Sequence, residues 1–306
     1  MKNSEIKRLV LAFIFSLGIF TVNAQGIVVC KKDGSKIRVS YEQLDSIATY
    51  DYSDGQGDVL DGENRVFTVN GVSFTMVPVK AGTFTMGATA EQQDPFGDEK
   101  PTHQVTLTND YYMGETEVTQ ALWHAVTGYS PTVSGSSWSS NYGKGDNYPA
   151  YYISYEDVLS FLTKLNNLTG ETFRMPTEAE WEYAARGGNK SKCYQYSGSN
   201  TLTEVAWYTE NSRSQTHTVK TKLANELGLY DMSGNVYEWC SDWKGSYSSS
   251  SQTDPVGVSS GSFRVLRGGC WSDSSRGCRV AFRSNRTPSG RYAYLGFRLA
   301  LSYSKK

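Results

Sequence analysis

The stretch Asn225–Trp243, NELGLYDMSGNVYEWCSDW, decides how the rest of the chain is read. It sets Leu227, Leu229, Tyr230, Met232, Val236, Tyr237, Trp239 and Trp243 among glycines and acids. Gly228 and Gly234 interrupt it too often for a helix, and Asp231-Met232-Ser233-Gly234-Asn235 has the composition of a tight turn. Such a turn can gather Asp231, Asn235, Glu238 and backbone carbonyls around a hard cation such as calcium, which takes oxygen ligands. It can equally be a buried turn whose carboxylates cap backbone N–H groups, because the spacing is not that of the regular calcium-binding loop. On the residues alone both readings stand.

The composition around this stretch is that of a loop-rich globular protein. Aromatic residues make up 13% and charged residues 20% of the 306, with 29 glycines against 8 prolines. So many rings argue against disorder and for a core built from large amphipathic side chains. A formal net charge of −1 creates no global field for nucleic acid or an anionic membrane.

At the start, Lys2, Lys7 and Arg8 precede an apolar run from Leu9 to Phe20, followed by Val22-Asn23-Ala24. This is the pattern of a secretory signal peptide cleaved after Ala24, so residues 1–24 are expected to be removed and the protein exported to a periplasmic, cell-surface or secreted location. The run is too short for a transmembrane anchor. Export permits disulfides, and five cysteines (Cys30, Cys193, Cys240, Cys270, Cys278) remain after cleavage. An odd number leaves at least one unpaired within the chain.

Residues 25–50 are expected to form a small β unit, a hairpin of Ile27–Cys30 and Ile37–Val39 around Asp33-Gly34. The acidic, glycine-rich segment 51–64 has the character of a linker. A main domain then begins near Arg65. Phe67, Val69, Val72, Phe74 and Met76 alternate as strands about an Asn70-Gly71 turn, and 83–87 and 103–107 continue the pattern. Helices are expected over 117–127, over 155–167 behind Ser154, and after Pro176, where Thr177 and Glu180 have capping-box spacing. A Ser/Gly/Tyr-rich loop, 129–148, is a candidate contact surface. Beyond residue 189 short strands and long turns are expected. Glu178, Glu180 and Glu182 are read as capping and solvated positions. The arginines of 262–300 are read first as ion pairs bracing a coil-rich core, with Arg283, Arg286 and Arg298 as alternatives for orienting a substrate.

The segments GTFTMG (82–87), DEKPTHQVTL (98–107), ETEVTQALW (115–123), FRMPTEAEWEYAARGG (173–188), NELGLYDMSGNVYEW (225–239), RVLRGG (264–269) and LGFRLA (295–300) occur in this order. Together they resemble the formylglycine-generating enzyme, or sulfatase-modifying factor, domain over about residues 65–303. The resemblance implies an α+β, loop-rich single domain related in architecture to C-type lectins. It also implies a copper oxidase that holds Cu(I) between two thiolates, ligands soft enough for that ion. Between Gly268-Gly269 and Ala281-Phe282-Arg283-Ser284, where the family places its cysteine pair, this chain has a shorter interval. Aligned from the right, the second catalytic cysteine falls on Ser275; aligned from the left, Cys270 replaces a serine. A hydroxyl binds Cu(I) poorly, which puts copper in doubt.

Cys270 and Cys278 remain candidates for an unorthodox catalytic pair with Ser275. Two half-buried cysteines, or a structural disulfide between Cys278 and Cys240, are the favoured alternative. The resemblance also implies a calcium held by Asp231, the carbonyls of Gly234 and Val236, and Glu238. Tyr237, Trp239, Trp271 and Arg283 are the candidate substrate-binding residues.

Two functions follow. One is a divergent oxidoreductase acting on a peptide or an exported small molecule. The other is a non-catalytic, lectin-like module presenting loop 129–148 to a peptide, protein or glycan. The scattered histidines His103, His124 and His217 have no metal-ligand spacing, and no phosphate-cradling loop or nucleophile elbow is present.

Overall fold

The computed structural model describes residues 63–303 together with three short strands, Phe20–Asn23, Gly26–Cys30 and Lys36–Val39. The chain divides into two compact units, Met1–Gly57 and Asp58–Lys306. In the first, the expected hairpin pairs Ile27 with Val39 and Cys30 with Lys36, and Phe20–Asn23 adds a third antiparallel strand. The rest of the expected signal peptide, the hairpin turn and nearly all of the linker lie outside the described residues.

In the second unit the largest sheet is antiparallel, in the order Arg65–Val69, Val72–Val79, Tyr111–Gly114, Ala300–Ser302, Phe173–Arg174. Its first hairpin turns at Asn70 (φ 48°) and Gly71 (φ 83°), the two positive angles that a tight hairpin of this hand requires. A four-stranded sheet runs Ser284–Arg286, Arg264–Arg267, Tyr237–Trp243, Leu295–Gly296, the last pair parallel. A third joins Gln252–Thr253, His103–Leu107 and Gly82–Met86. The quoted stretch thus runs from a turn into the strand Tyr237–Trp243, which lies inside the four-stranded sheet.

Three helices pack on these sheets. Gln120–Thr127 begins behind Thr119, whose hydroxyl accepts from the Leu122 N–H, and ends at Gly128 with φ 80°. The expected start at Glu117 therefore moves inward. Glu117 is drawn into the interior for another purpose. Tyr155–Thr169 has the Ser154/Asp157 capping box and buries Val158, Phe161, Leu162 and Leu165, the face its spacing predicts. Glu178–Ala185 has the Thr177/Glu180 box. The helices meet through rings: Trp123 stacks on Phe161 at 5.2 Å, and Phe297 meets both edge-on.

After Lys190 the only helices among the described residues are the four-residue Leu202–Val205 and the four-residue 3-10 helix Ser275–Cys278. Ion pairs do here what regular hydrogen bonding does elsewhere. Arg279 grips both oxygens of Glu99, Arg283 both oxygens of Glu178, and Arg298 both oxygens of Glu238, while Arg267 bonds Glu182. Glu178 and Glu182 were expected at solvated positions, but they are 4% and 0% exposed. The arginines of the last forty residues claim them, and only Glu180 keeps the capping role, bonding the Thr177 N–H and Arg174. Among the described residues no helix is long and apolar enough to cross a membrane.

Gly234 sits at φ 80°, and a β-carbon there would collide with the Trp207 backbone. Replacing Gly234 by Ala is expected to cost roughly 3 kcal/mol or more, from positive-φ strain plus a backbone clash. Urea unfolding checks this, with Gly71→Ala as a control, because nothing lies within 4 Å of a β-carbon there.

Candidate functional site

The turn at the centre of the quoted stretch is held by side chains from distant parts of the chain. Asp231 (φ 57°) and Asn235 (φ 58°) take the left-handed backbone region that Asp and Asn tolerate best after glycine. The Asn235 amide donates to Glu117 Oε2 at 3.0 Å and to the His217 carbonyl at 3.2 Å, and accepts from the His217 N–H at 2.9 Å. Its backbone N–H donates to the Trp207 carbonyl, and its carbonyl accepts from the Trp271 N–H. Glu117 Oε1 accepts from the Val236 N–H.

Glu238 is wholly buried. Arg298 donates to it at 2.7 Å and the Trp181 indole N–H at 2.6 Å, while Arg298 also donates to the carbonyls of Gly114 and Tyr230. Asp231 Oδ2 accepts from the Lys220 N–H at 2.7 Å, yet its buried Oδ1 has no hydrogen-bond partner.

Three buried carboxylates, Glu117, Asp231 and Glu238, thus share one neighbouring guanidinium, that of Arg298. Burial first, then repulsion from Asp231 and Glu238, pushes the Glu117 carboxyl well up. Burial, with a smaller push from Glu238 and against the pull of the Lys220 N–H and Arg298, raises Asp231 to about 6. Surplus negative charge and one orphaned carboxylate oxygen fit a hard cation. Among the described residues no three His, Cys, Asp or Glu side chains converge as a metal site. An ion here would therefore rest on Asp231 and Glu238 with the carbonyls of Gly234 and Val236, and would share Glu238 with Arg298. Glu117 was not singled out from the sequence. Its only signal was an acid two residues ahead of a helix cap.

The cysteines are arranged otherwise than expected. Cys240, Cys270 and Cys278 are buried free thiols, and Cys193 is free and exposed, so no Cys240–Cys278 disulfide forms. Cys270 belongs to the main core, while Cys278 packs with Tyr196, Leu202, Val205 and Tyr208 in a separate small cluster. Burial, reinforced by Asp273, pushes both thiols up, Cys278 well above its ordinary range. In the metal-free protein that burial favours the neutral thiols over thiolates. Ser275 is exposed and opens the short helical turn that ends at Cys278.

Of the four candidate substrate-binding residues, Tyr237, Trp239 and Arg283 are buried and only Trp271 is partly exposed. Trp239 is fully buried, with its indole N–H on the Ile153 carbonyl and its ring edge-on to Tyr155. Arg283 is bound to Glu178 and lines a separate cavity. Trp271 heads a run of ring and backbone contacts that ends on the buried Tyr237. Trp271 lies against Tyr142 at 5.9 Å, and Tyr142 meets Tyr152 at 6.5 Å. The Tyr152 N–H bonds the Tyr292 carbonyl, Tyr292 stacks on Tyr294 at 5.1 Å, and Tyr294 meets Tyr237. Tyr237 touches Phe282, which touches Phe96. Arg286 covers the Tyr292 and Tyr294 rings, and Arg276 lies over Phe96 at 3.4 Å. Tyr142 comes from the loop that was expected to be a contact surface.

Residues 66–303 match the family described as "Sulfatase-modifying factor enzyme 1-like domain", and the chain belongs to that family. It is 32% identical over 273 residues to chaperone protein LppX of Paenibacillus barcinonensis, covering 76% of this chain and 90% of that one. It is 31% identical over 284 residues to the formylglycine-generating enzyme of Streptomyces coelicolor, covering 73% and 88%. Among solved structures, Treponema denticola variable protein 1 superposes with a TM-score of 0.68 at 35% identity, over 78% of this chain and 99% of the other. PvdO of Pseudomonas aeruginosa gives 0.62 at 28%, over 75% and 94%. The expected loop-rich α+β fold of this family is the observed one.

The acid cluster has a measurable pH signature. Asp231 titrates near 3.8 when unfolded and about 6 when folded, so the ion-free native state binds more protons between those values. In chelator, stability should fall as pH rises from about 4 to about 6. Asp242, raised to about 7, adds to the same trend. Asp231→Asn should remove Asp231's share and stabilise the chelated protein at pH 7 by on the order of 2 kcal/mol. Urea unfolding at pH 4.5 and pH 7 checks it, and a destabilised variant at pH 7 would contradict it.

Proposed function

We propose that this is an exported, non-catalytic ligand-binding module of the sulfatase-modifying factor type. Its aromatic face, Tyr142, Tyr152, Trp271, Tyr292 and Tyr294 with Arg286, takes an extended peptide or glycan. The observation that carries this reading is a pair of ring clusters, Trp271–Tyr142–Tyr152 and Tyr292–Tyr294, joined by the Tyr152 N–H to Tyr292 carbonyl bond, the second topped by Arg286. Rings braced by hydrogen bonds offer large amphipathic contact area at little entropic cost on binding. Trp271 is held in this way, its indole N–H on the Ala293 carbonyl and its backbone N–H on the Asn235 carbonyl. The two thiols, Cys270 and Cys278, are both buried away from that face's surface, which favours binding over chemistry at a thiol.

Calcium is part of the proposal. With Asp231, Glu238 and the carbonyls of Gly234 and Val236 as ligands, it would cancel the surplus charge under the face. It would stiffen the turn that orients Trp271.

A second reading, a divergent oxidoreductase, rests on Cys270 alone. Its Sγ lies 3.2 Å from the hydroxyl of exposed Ser272, just below the same face.

Screening peptide and glycan arrays, then repeating the best binders with variants, separates the two. Trp271→Ala should weaken binding tenfold or more, an effect of about 1.4 kcal/mol or above. Cys270→Ser should leave it intact, and no oxygen should be consumed with a cysteine-containing peptide. Cys270-dependent oxygen uptake would overturn the binding reading in favour of the enzyme. In a parallel test, chelator should lower the melting temperature of the native protein but not of Asp231→Asn; an unchanged native value would count against calcium.

A further inference from the structure

A cavity of about 400 Å³ opens beside the strand Tyr237–Trp243 and the start of the helix Glu178–Ala185, lined among others by Glu178, Asp242, Trp243, Tyr247, Val256 and Arg283. None of the rings of the aromatic face lines it. Its charges are unevenly matched. Arg283 is fully engaged: Nε and Nη2 bond the two oxygens of Glu178 at 2.6 and 2.7 Å, and Nη1 bonds the carbonyls of Asp98 and Gly245. Lys244, next in sequence to the cavity wall, donates to Asp98 at 2.7 Å. Asp242 is left without a cation, for no ion pair among the described residues includes it.

Asp242 is 3% exposed, and its two oxygens differ. Oδ2 accepts from the Glu178 N–H at 2.9 Å and from the Ser241 hydroxyl at 3.0 Å. Oδ1 has no hydrogen bond and lies on the side of Gly257, another wall residue, 3.1 Å from where a β-carbon there would stand. Gly257 has φ 76°, so a side chain at that position would be both strained and in the way of the carboxylate. Burial, then the nearby Glu178 carboxylate, raises the Asp242 carboxyl to about 7, as befits an acid short of a counter-charge. At the mouth, Val256 and Val258 are 69% and 44% exposed and form an apolar rim.

A concave site with an apolar rim and one unpaired carboxylate oxygen selects a cation on an apolar stem. We propose that this cavity binds a primary ammonium or guanidinium group carried on a short aliphatic chain, with Asp242 as its counter-ion and Val256 and Val258 against the stem. The site is separate from the aromatic face, and its test does not depend on what that face binds.

Calorimetry with the full chain tests it, using Nα-acetyl-lysine amide and agmatine as probes and 1,5-pentanediol as the neutral control. Both cations should bind saturably and the diol should not. Asp242→Asn should weaken the cations at least tenfold, and Val256→Trp, which plugs the mouth from an exposed position, should do the same. If Asp242→Asn does not fold, Val256→Trp decides alone. Absence of saturable cation binding, equal binding of the diol, or unchanged affinity in the folded variants would overturn the proposal. A glycine pentapeptide with a central lysine distinguishes the source: tighter binding than the free amide means a protein-borne side chain, and weaker or equal binding means a free amine.

Discussion

The buried pair of Glu238 and Arg298 is the interaction on which the rest of this domain depends. Arg298 joins the last strands to three places at once: the Glu238 carboxylate, the Gly114 carbonyl at the end of the central strand of the five-stranded sheet, and the Tyr230 carbonyl at the entry to the central turn. Glu238 in turn receives the Trp181 indole from the helix Glu178–Ala185. Two sheets, one helix and the turn are therefore registered by a single guanidinium and a single carboxylate. A buried ion pair of this kind adds little net stability compared with a well-packed apolar substitute. Its effect is that wrong arrangements, which would leave either charge alone in the interior, become very costly.

The same device recurs through the coil-rich half. Glu99 with Arg279, Glu178 with Arg283 and Glu182 with Arg267 each tie a residue from the first two-thirds of the chain to one from the last forty. A segment with so few regular backbone hydrogen bonds must satisfy its carbonyls by other means, and the arginines supply them. Arg267 reaches the carbonyls of Val280, Ala281 and Phe282, and Arg283 those of Asp98 and Gly245. The backbone so held presents Trp271, Tyr292 and Tyr294 on one side and leaves Asp242 in a cavity on another. Both faces owe their geometry to polar contacts beneath them.

Much of this was legible in the sequence where local chemistry is decisive. The Asn70-Gly71 hairpin, the apolar face of Val158, Phe161, Leu162 and Leu165, and the capping boxes at Ser154 and Thr177 follow from short-range rules that the tertiary structure did not override. Seven ordered motifs carried the family. What could not be seen were partnerships across 85 residues or more. Glu117 looked like the start of a helix, because nothing nearby announces that Asn235 and Val236 will claim both of its oxygens. Glu178 and Glu182 looked solvated, because their arginines lie far along the chain. Trp239 and Trp271 were indistinguishable as candidate ring surfaces; the first lies where its strand is buried on both faces, while a turn leaves the other half-exposed. Likewise, the spacing of Cys270 and Cys278 did not reveal that they belong to separate clusters.

A double-mutant cycle at Glu238 and Arg298 tests this account most directly. Urea unfolding would be measured for Glu238→Gln, Arg298→Met and the double variant. Each single change strands a buried charge or its hydrogen-bond partners and should cost about 3 to 5 kcal/mol. The double variant should recover a coupling energy of roughly 2 kcal/mol or more. Additive losses, with no coupling beyond about 0.5 kcal/mol, would contradict the claim that this pair registers the fold.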